Sequence, residues 1–182
     1  MHLKLSLLLV LALLFSQPIQ SNAESLGFTT IGSFSNVRVT QEHQYGSEIQ
    51  FWEEGTDLMG FFSHSEGLMG DTPTGLLENI AYDRKTGKIS FTARLTMGQH
   101  FCKIHQNVPS QDLFSFQGKI SSSSISGVLK RSDALHPDNP STEEKVVLKK
   151  MNSQTANQSS YSSRADWEKF SKEILKFRGP RW

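Results

Sequence analysis

The sequence contains one cysteine, Cys102, in 182 residues, so no disulfide can form within the chain. A domain that is exported without disulfides has to be stabilised by its hydrophobic core alone. An excess of charge is equally absent, since 19 lysines and arginines stand against 18 aspartates and glutamates. A chain this close to neutral gives no electrostatic basis for binding nucleic acid. Disulfide-stapled scaffolds and nucleic-acid-binding domains are therefore excluded as classes.

Sequence signatures of catalysis are missing as well. No serine, cysteine or threonine lies in a glycine-flanked elbow, and no glycine-rich loop precedes a helix. His100, Cys102 and His105 come closest to a metal site, but an extended strand points His105 away from the other two. No second pair of zinc ligands lies nearby in the sequence. We predict no catalytic residue, no metal and no cofactor; the enzyme alternative depends on Cys102 or on a histidine-bound metal.

The one long apolar run lies at the N-terminus. Lys4 precedes the run from Leu5 to Phe15, and Pro18 follows it. Residues 21–23, Ser-Asn-Ala, then place small side chains where a signal peptidase cuts. The run is shorter than the roughly 20 residues that cross a bilayer. The sequence therefore predicts a signal peptide over residues 1–23 and an exported protein, periplasmic or extracellular.

The middle of the chain has the pattern of strands and turns. In the clearest strand, Ile89, Phe91 and Ala93 alternate with polar residues, as one buried and one solvated face require. Similar strands follow one another at short intervals without a helical pattern between them, which favours an antiparallel meander. Four glycines fall within the strand patterns: Gly32, Gly60, Gly118 and Gly127. Such glycines mark bends that a closing barrel needs. We predict a mostly β fold over residues 24–151, a barrel of about eight strands, with a two-sheet sandwich as the alternative.

A polar linker over residues 152–164 precedes an amphipathic helix predicted over residues 165–182. Ser163 is placed to cap this helix, and Gly179-Pro180 ends it. Its apolar face carries Trp167, Phe170, Ile174 and Leu175 or Phe177. Such a helix packs on the barrel wall or covers one mouth of the barrel. A basic amphipathic helix lying on an anionic membrane surface is the alternative.

Aromatic side chains on the predicted strands indicate an apolar barrel interior. A barrel of this strand number is either filled by side chains or holds one small ligand, and the sequence does not decide between the two. For a hollow barrel, the predicted ligand-binding residues are Asn36, Phe62, Tyr82, Phe91, Phe116 and Gln117. The glycine-rich segment of residues 64–75 carries Leu68 and Met69 at its tip and is a candidate lid.

Two short motifs carry a resemblance to a known family. Residues 32–36 read Gly-Ser-Phe-Ser-Asn, and residues 54–62 read Glu-Gly-Thr-Asp-Leu-Met-Gly-Phe-Phe. The first is similar to the G-x-W-x-N opening of avidin-like proteins, with Phe34 in place of tryptophan. The second is similar to the D-G-x-L-x-G-x-Y turn and strand that follow in that family. The resemblance, to lipocalin- and avidin-type calycins, implies an up-and-down barrel with Asn36 at a position that contacts ligand. The serine-rich turn and the tryptophans that hold biotin have no counterparts, so biotin binding is not implied.

These observations predict a non-catalytic, exported barrel that binds a small apolar ligand in its interior. The alternative is a filled barrel that acts as a protein-interaction module in the cell envelope, through its loops or its C-terminal helix. The expected partner is accordingly a small apolar molecule or an envelope protein, and no nucleic acid. Contact with a membrane surface is expected, if at all, only from the C-terminal helix.

Overall fold

The computed structural model describes residues 27–68, 72–95, 99–100, 108–109, 112–133, 136, 138–152 and 161–176. For Leu68 and for residues 99–100, 108–109 and 174–176, the description covers the backbone alone. The predicted signal peptide, Met69, Cys102 and His105 lie outside these ranges. No helix within them is long and apolar enough to cross a bilayer.

The described chain consists of antiparallel strands followed by one helix. The bounds are β1 (Thr29–Ser35), β2 (Arg38–Val39), β3 (His43–Glu54), β4 (Asp57–Leu68), β5 (Thr74–Asp83), β6 (Lys88–Arg94), β7 (Gln99–His100), β8 (Val108–Pro109), β9 (Asp112–Ile120), β10 (Ser124–Asp133), β11 (Thr142–Lys150) and α1 (Arg164–Lys176). Eight strands pair in the order β1-β3-β4-β5-β6-β9-β10-β11, and β11 pairs back with β1, which closes a barrel. Strand β2 extends the sheet beside β3, and β7 pairs with β8. The predicted antiparallel barrel of eight strands with a C-terminal helix is confirmed.

The meander gives the barrel two different ends. Short turns at residues 55–56, 84–87 and 121–123 connect the strands at one end, which we call the hairpin end. The strand ends that flank residues 69–73, 95–111 and 134–141 lie at the opposite end, the loop end. Candidate sites therefore have to be sought separately at each end, in the lumen and on the outer wall.

The turn between β5 and β6 is held by Asp83. Its carboxylate accepts hydrogen bonds from the Thr86 hydroxyl at 2.6 Å and from the Lys85 amide at 2.9 Å. These hydrogen bonds, with that of Thr86 first, lower the pKa of Asp83. Gly87 closes the turn with a φ of 72°, a left-handed conformation that glycine adopts without strain. Strand β6, which has the clearest alternation in the sequence, is thus paired with β5 in a hairpin.

Two of the predicted interior glycines allow β9 and β10 to approach closely. Gly118 and Gly127 lie directly opposite each other in the register of these strands. A Cβ atom on Gly118 would come within 2.2 Å of the Ser126 backbone oxygen and 2.6 Å of the Phe116 ring. A Cβ atom on Gly127 would meet the Gln117 backbone oxygen at 2.3 Å. Only glycine fits at these positions, and the space it leaves is occupied by the Phe116 ring.

Helix α1 packs on the outside of the barrel rather than over a mouth. A second apolar cluster lies on the outer face of β3, β4 and β5: Trp52, Met59, Phe61 and Leu76, with Phe28, Tyr161, Trp167 and Phe170 packed against them. Trp167 stacks on Phe61 at a centroid distance of 5.9 Å, and Phe170 meets the same ring edge-on at 5.1 Å. Because the barrel wall covers these two side chains, they are not free to lie on a membrane.

The start of the helix follows the prediction closely. The Ser163 hydroxyl accepts a hydrogen bond from the Asp166 amide at 3.2 Å, as an N-cap does. Hydrogen bonds from the Ser162 hydroxyl, and then from Ser163, lower the pKa of Asp166. A carboxylate in the first turn also interacts favourably with the helix dipole. The helix begins at Arg164, one residue before the predicted start.

Candidate functional site

Phenylalanine rings fill the lumen, which is where the sequence places a ligand. Phe62, Phe91 and Phe116 from the predicted set are each at most 2% exposed. The Phe62 and Phe114 rings, from β4 and β9, lie 4.9 Å apart between centroids. The Phe51 and Phe91 rings, from β3 and β6, lie 6.4 Å apart. Neither pair comes from neighbouring strands, so both contacts cross the interior. The described lumen side chains therefore pack against one another.

Asn36 and Gln117 do not face this phenylalanine core. The Asn36 side-chain oxygen accepts a hydrogen bond from the Ser47 amide at 2.7 Å, and the Asn36 amide donates to the Ser47 carbonyl at 3.1 Å. Asn36 therefore connects the loop end of β1 to β3 through two hydrogen bonds. Gln117 alternates with the buried Phe116 and is exposed on the outer wall. Strand alternation turns Gln117 outward, away from its predicted place in the lumen, and the Asn36 side-chain oxygen is bonded to the Ser47 backbone. Ligand binding by these two residues stays a prediction.

Tyr82 and the predicted lid lie away from the centre of the lumen too. Tyr82 is half-buried at the hairpin end, where it packs on the edge of the core and lines an open groove. Leu68 is the last residue of β4. Met69 lies outside the described residues, so the lid stays a prediction. The structure thus brings the three phenylalanines of the predicted ligand site together in the lumen, whereas Tyr82 and Gln117 line one open groove outside it.

An ion-pair network spans the loop end of the lumen. Arg131 of β10 donates two hydrogen bonds to Asp112 of β9, at 3.0 and 3.1 Å, and one to Glu66 of β4 at 2.5 Å. Its guanidinium also lies 5.9 Å from the centre of the Phe114 ring. Because β4 and β10 are opposite each other in the barrel order, the network crosses the mouth above the phenylalanines. Burial by itself lowers the pKa of Arg131, but the hydrogen bonds with Asp112 and Glu66 outweigh it and raise the pKa.

We expect Arg131→Met to lower the free energy of unfolding by about 1–3 kcal/mol, because it removes the two hydrogen bonds that Arg131 donates to the Asp112 carboxylate. In the double variant Arg131→Met/Asp112→Asn, part of this loss is expected to be recovered. Urea denaturation of the four proteins of this cycle gives the coupling energy directly. Strictly additive losses would contradict the network.

A small cavity of about 210 Å³ lies beside the network. Its lining is His64, Glu66, Phe114, Leu129, Arg131, Thr142, Glu143 and Glu144. Carboxylates outnumber cations here, and the guanidinium is already paired with two of the chain's own carboxylates. Among the residues that the structure describes, no group of three or more histidine, cysteine, aspartate and glutamate side chains could hold a metal ion. The cavity is a narrow acidic recess.

Ser47 and His64 form the hydroxyl–imidazole pair that the sequence reasoning missed. The Ser47 hydroxyl lies 3.0 Å from Nδ1 of His64, and the two residues are direct partners in the β3–β4 register. Ser47 is only 1% exposed, and the His64 ring packs 4.9 Å from that of Phe114. A buried hydroxyl in this position stabilises the mouth of the barrel and does not meet solvent. No sequence motif joins these residues, since only strand pairing brings them together.

Strands β4 and β5 separate toward the hairpin end and leave an open groove. Their register covers only residues 61–63 opposite residues 74–76, whereas β3 and β4 pair over their whole length. On the other edge of β5, an irregularity at Asn79, which has a φ of 52°, shifts the pairing with β6. The groove has a volume of about 530 Å³. Its lining is Thr56, Asp57, Leu58, Met59, Leu77, Ile80, Tyr82, Arg164 and Trp167.

Arg164 supplies no free charge to this groove. Its guanidinium bonds to Asp57 at 2.9 Å, to Glu168 at 3.0 Å and to Glu54 at 3.3 Å. These hydrogen bonds, with that of Asp57 first, raise the pKa of Arg164. The indole nitrogen of Trp167 is buried and has no hydrogen-bond partner within the described part of the chain. The groove therefore combines apolar side chains with polar groups and lies beside one unpaired indole donor.

No family model, curated protein or solved structure matches the chain. The fold alone therefore defines its class: an antiparallel barrel of eight strands with a helix packed on the wall. The resemblance to calycins holds at this coarse level of architecture.

Proposed function

We propose that this protein is an exported, non-catalytic interaction module, a solid barrel that recognises another protein through its outer surface. The packing of the lumen carries the proposal, because phenylalanine rings from non-neighbouring strands meet across it at 4.9 and 6.4 Å. The Arg131 network closes one mouth above those rings. Recognition by a filled barrel has to take place on the surface. Export rests on the N-terminal signal-peptide pattern.

The C-terminal helix is a poor candidate for that surface. Its aromatic side chains Trp167 and Phe170 pack on Phe61 of the barrel wall. Its described polar residues, among them Lys172 and Glu173, are exposed to solvent, as on the outer face of any surface helix. Among the residues that the structure describes, none covers the side of the barrel away from the helix.

Size-exclusion chromatography of a gentle extract from the protein's own cells tests the proposal. With immunodetection, the mature protein is expected to elute well above its monomer size and to return to monomer size in high salt, because salt screens charged contacts. Chromatography of the purified protein alone at the same concentration is the control for self-association. Elution as a monomer from extract at every salt concentration would overturn the proposal.

The groove between β4 and β5 supports a second candidate function, the binding of a small apolar ligand on the side of the barrel. The observation that favours it is an open groove of about 530 Å³ in which the predicted ligand residue Tyr82 lies with the apolar side chains Leu77 and Ile80. Uptake of an apolar fluorescent probe is expected to be lost in Ile80→Lys and kept in Val147→Lys. Equal uptake by both variants would remove this candidate.

A further inference from the structure

Strands β6, β9, β10 and β11 are neighbours in the barrel, and no described element packs over their outer face. We call this face the bare wall. Helix α1 lies on the other side, against the outer face of β3, β4 and β5. Side chains on the bare wall are those that alternate with the buried lumen residues of the same strands. The bare wall is a continuous sheet surface four strands wide.

The bare wall concentrates positive charge. Its cations are Lys88, Arg94, Lys119, Lys130, Lys145 and Lys149, and its one carboxylate is Glu143. Glu143 lies 3.8 Å from Lys130. The other five cations form no ion pair within the described residues. Since the whole chain has a formal net charge of +1, this charge is offset elsewhere on the molecule and not on the wall.

Two cations on the wall directly oppose each other. Lys88 of β6 is the register partner of Lys119 of β9. On its other edge Lys88 lies opposite Asp83 of β5, whereas Lys119 lies opposite Ser126 of β10. Like charges placed opposite each other in a sheet are destabilising. Asp83 offsets the repulsion at Lys88, and an anionic surface over the wall would do the same at Lys119, which has no carboxylate opposite it in the register.

The middle of the bare wall is apolar. Val128 is 39% exposed and Val147 is 57% exposed. Val128 pairs with Lys145, and Val147 pairs with Ser126, so the two valines are diagonal neighbours on β10 and β11. An apolar centre with a polar rim is the usual layout of a protein–protein interface. The wall presents no aromatic ring among its described side chains, so it offers no platform for stacking nucleic-acid bases.

We propose that the bare wall docks a protein partner that has an acidic face around an apolar centre. This inference rests on the proposed function and names the surface and the chemistry of the partner. Same-face side chains stand about 5 Å apart across strands and about 7 Å apart along them. At that spacing the carboxylates of one acidic strand or helix can pair with several wall lysines while apolar side chains cover Val128 and Val147. Charge complementarity then sets the partner and its orientation.

The test compares two charge reversals that change the net charge equally. Lys119→Glu/Lys145→Glu alters the bare wall, and Lys85→Glu/Lys172→Glu alters exposed positions on the β5–β6 turn and on helix α1. The probes are labelled poly-L-glutamate, measured by fluorescence anisotropy, and the complex seen by size-exclusion chromatography of cell extract. The wall variant is expected to bind poly-L-glutamate at least about tenfold more weakly than wild type, and to lose the complex. The control variant is expected to stay within about twofold.

The Val147→Ser variant distinguishes a protein partner from other polyanions. It is expected to weaken the complex from extract while leaving poly-L-glutamate binding unchanged, because only a protein covers the apolar centre. If heparin, or vesicles of equal parts phosphatidylcholine and phosphatidylglycerol, bind more tightly than poly-L-glutamate and lose binding in the wall variant, the protein partner is overturned. A complex that survives in the wall variant overturns the bare wall and leaves the proposed function standing. A wild-type protein that forms no complex and binds no poly-L-glutamate overturns both.

Discussion

The Phe91→Ala protein is expected to lose about 3–5 kcal/mol of its free energy of unfolding. Phe91 is 2% exposed, and its ring meets those of Phe51, Phe62 and Phe116. Truncation therefore leaves a cavity that the barrel wall, fixed by its strand pairing, closes only in part. A typical domain is stable by about 5–15 kcal/mol, so the loss is a large fraction of the total. Chemical denaturation of both proteins measures it.

Val147→Ala is the matched control for this truncation. Val147 is 57% exposed on the outer wall, so its loss is expected to change stability by no more than about 0.5 kcal/mol. The cavity in the Phe91→Ala protein is also expected to admit benzene, which ligand-observed NMR detects. A Phe91→Ala protein as stable as wild type, or benzene uptake by the wild-type lumen, would show that the barrel is hollow.

Removal of residues 165–182 is expected to unfold or aggregate the protein. The deletion uncovers Trp52, Met59, Phe61 and Leu76, which are at most 7% exposed beneath helix α1. Burial of one such side chain contributes about 1.5–3 kcal/mol, so the four together approach the whole stability of a domain. Circular dichroism and light scattering of the truncated protein measure the loss of structure and the onset of aggregation.

Two point variants test whether the effect of the truncation comes from the lost packing of helix α1 on the barrel. Trp167→Ala keeps the helix but removes its stacking on Phe61, and it is expected to destabilise by about 2–4 kcal/mol. Lys172→Ala, at an exposed position of the same helix, is expected to have little effect. A truncated protein that remains folded and monomeric would mean that the helix is an appendage and is free to bind a partner.

The strand order and the helix could be predicted because their signals are local. The alternation of Ile89, Phe91 and Ala93 defines β6, and Gly87 defines the turn before it. The apolar spacing of Trp167 and Phe170 defines the face of helix α1. Each of these signals depends on residues within one turn or one strand of each other. Closure of the barrel depends on the long-range pairing of β1 with β11 and β3, which local signals do not define.

The candidate site could be predicted only in part. Phe116 and Gln117 are consecutive on one strand, so alternation allows only one of them inside, and the sequence prediction placed both there. Whether the lumen is filled depends on how rings from distant strands interlock, which composition does not reveal. The Arg131–Glu66 pair joins residues 65 positions apart, and no local pattern marks it.

The bare wall depends on register in the same way. Lys145, Val147 and Lys149 alternate visibly in the sequence, but their neighbours on β9 and β10 are defined only once the strands are paired. The net charge of the whole chain therefore does not show that positive charge is concentrated on this wall.

Native mass spectrometry of the mature protein, purified from its own cells and compared with its denatured mass, tests the solid barrel most directly. A filled lumen predicts the mass of the polypeptide without any small-molecule adduct, together with a heavier species that contains a second polypeptide. A reproducible added mass of small-molecule size, lost on denaturation, would contradict the solid barrel and return the interior to the role of a ligand site.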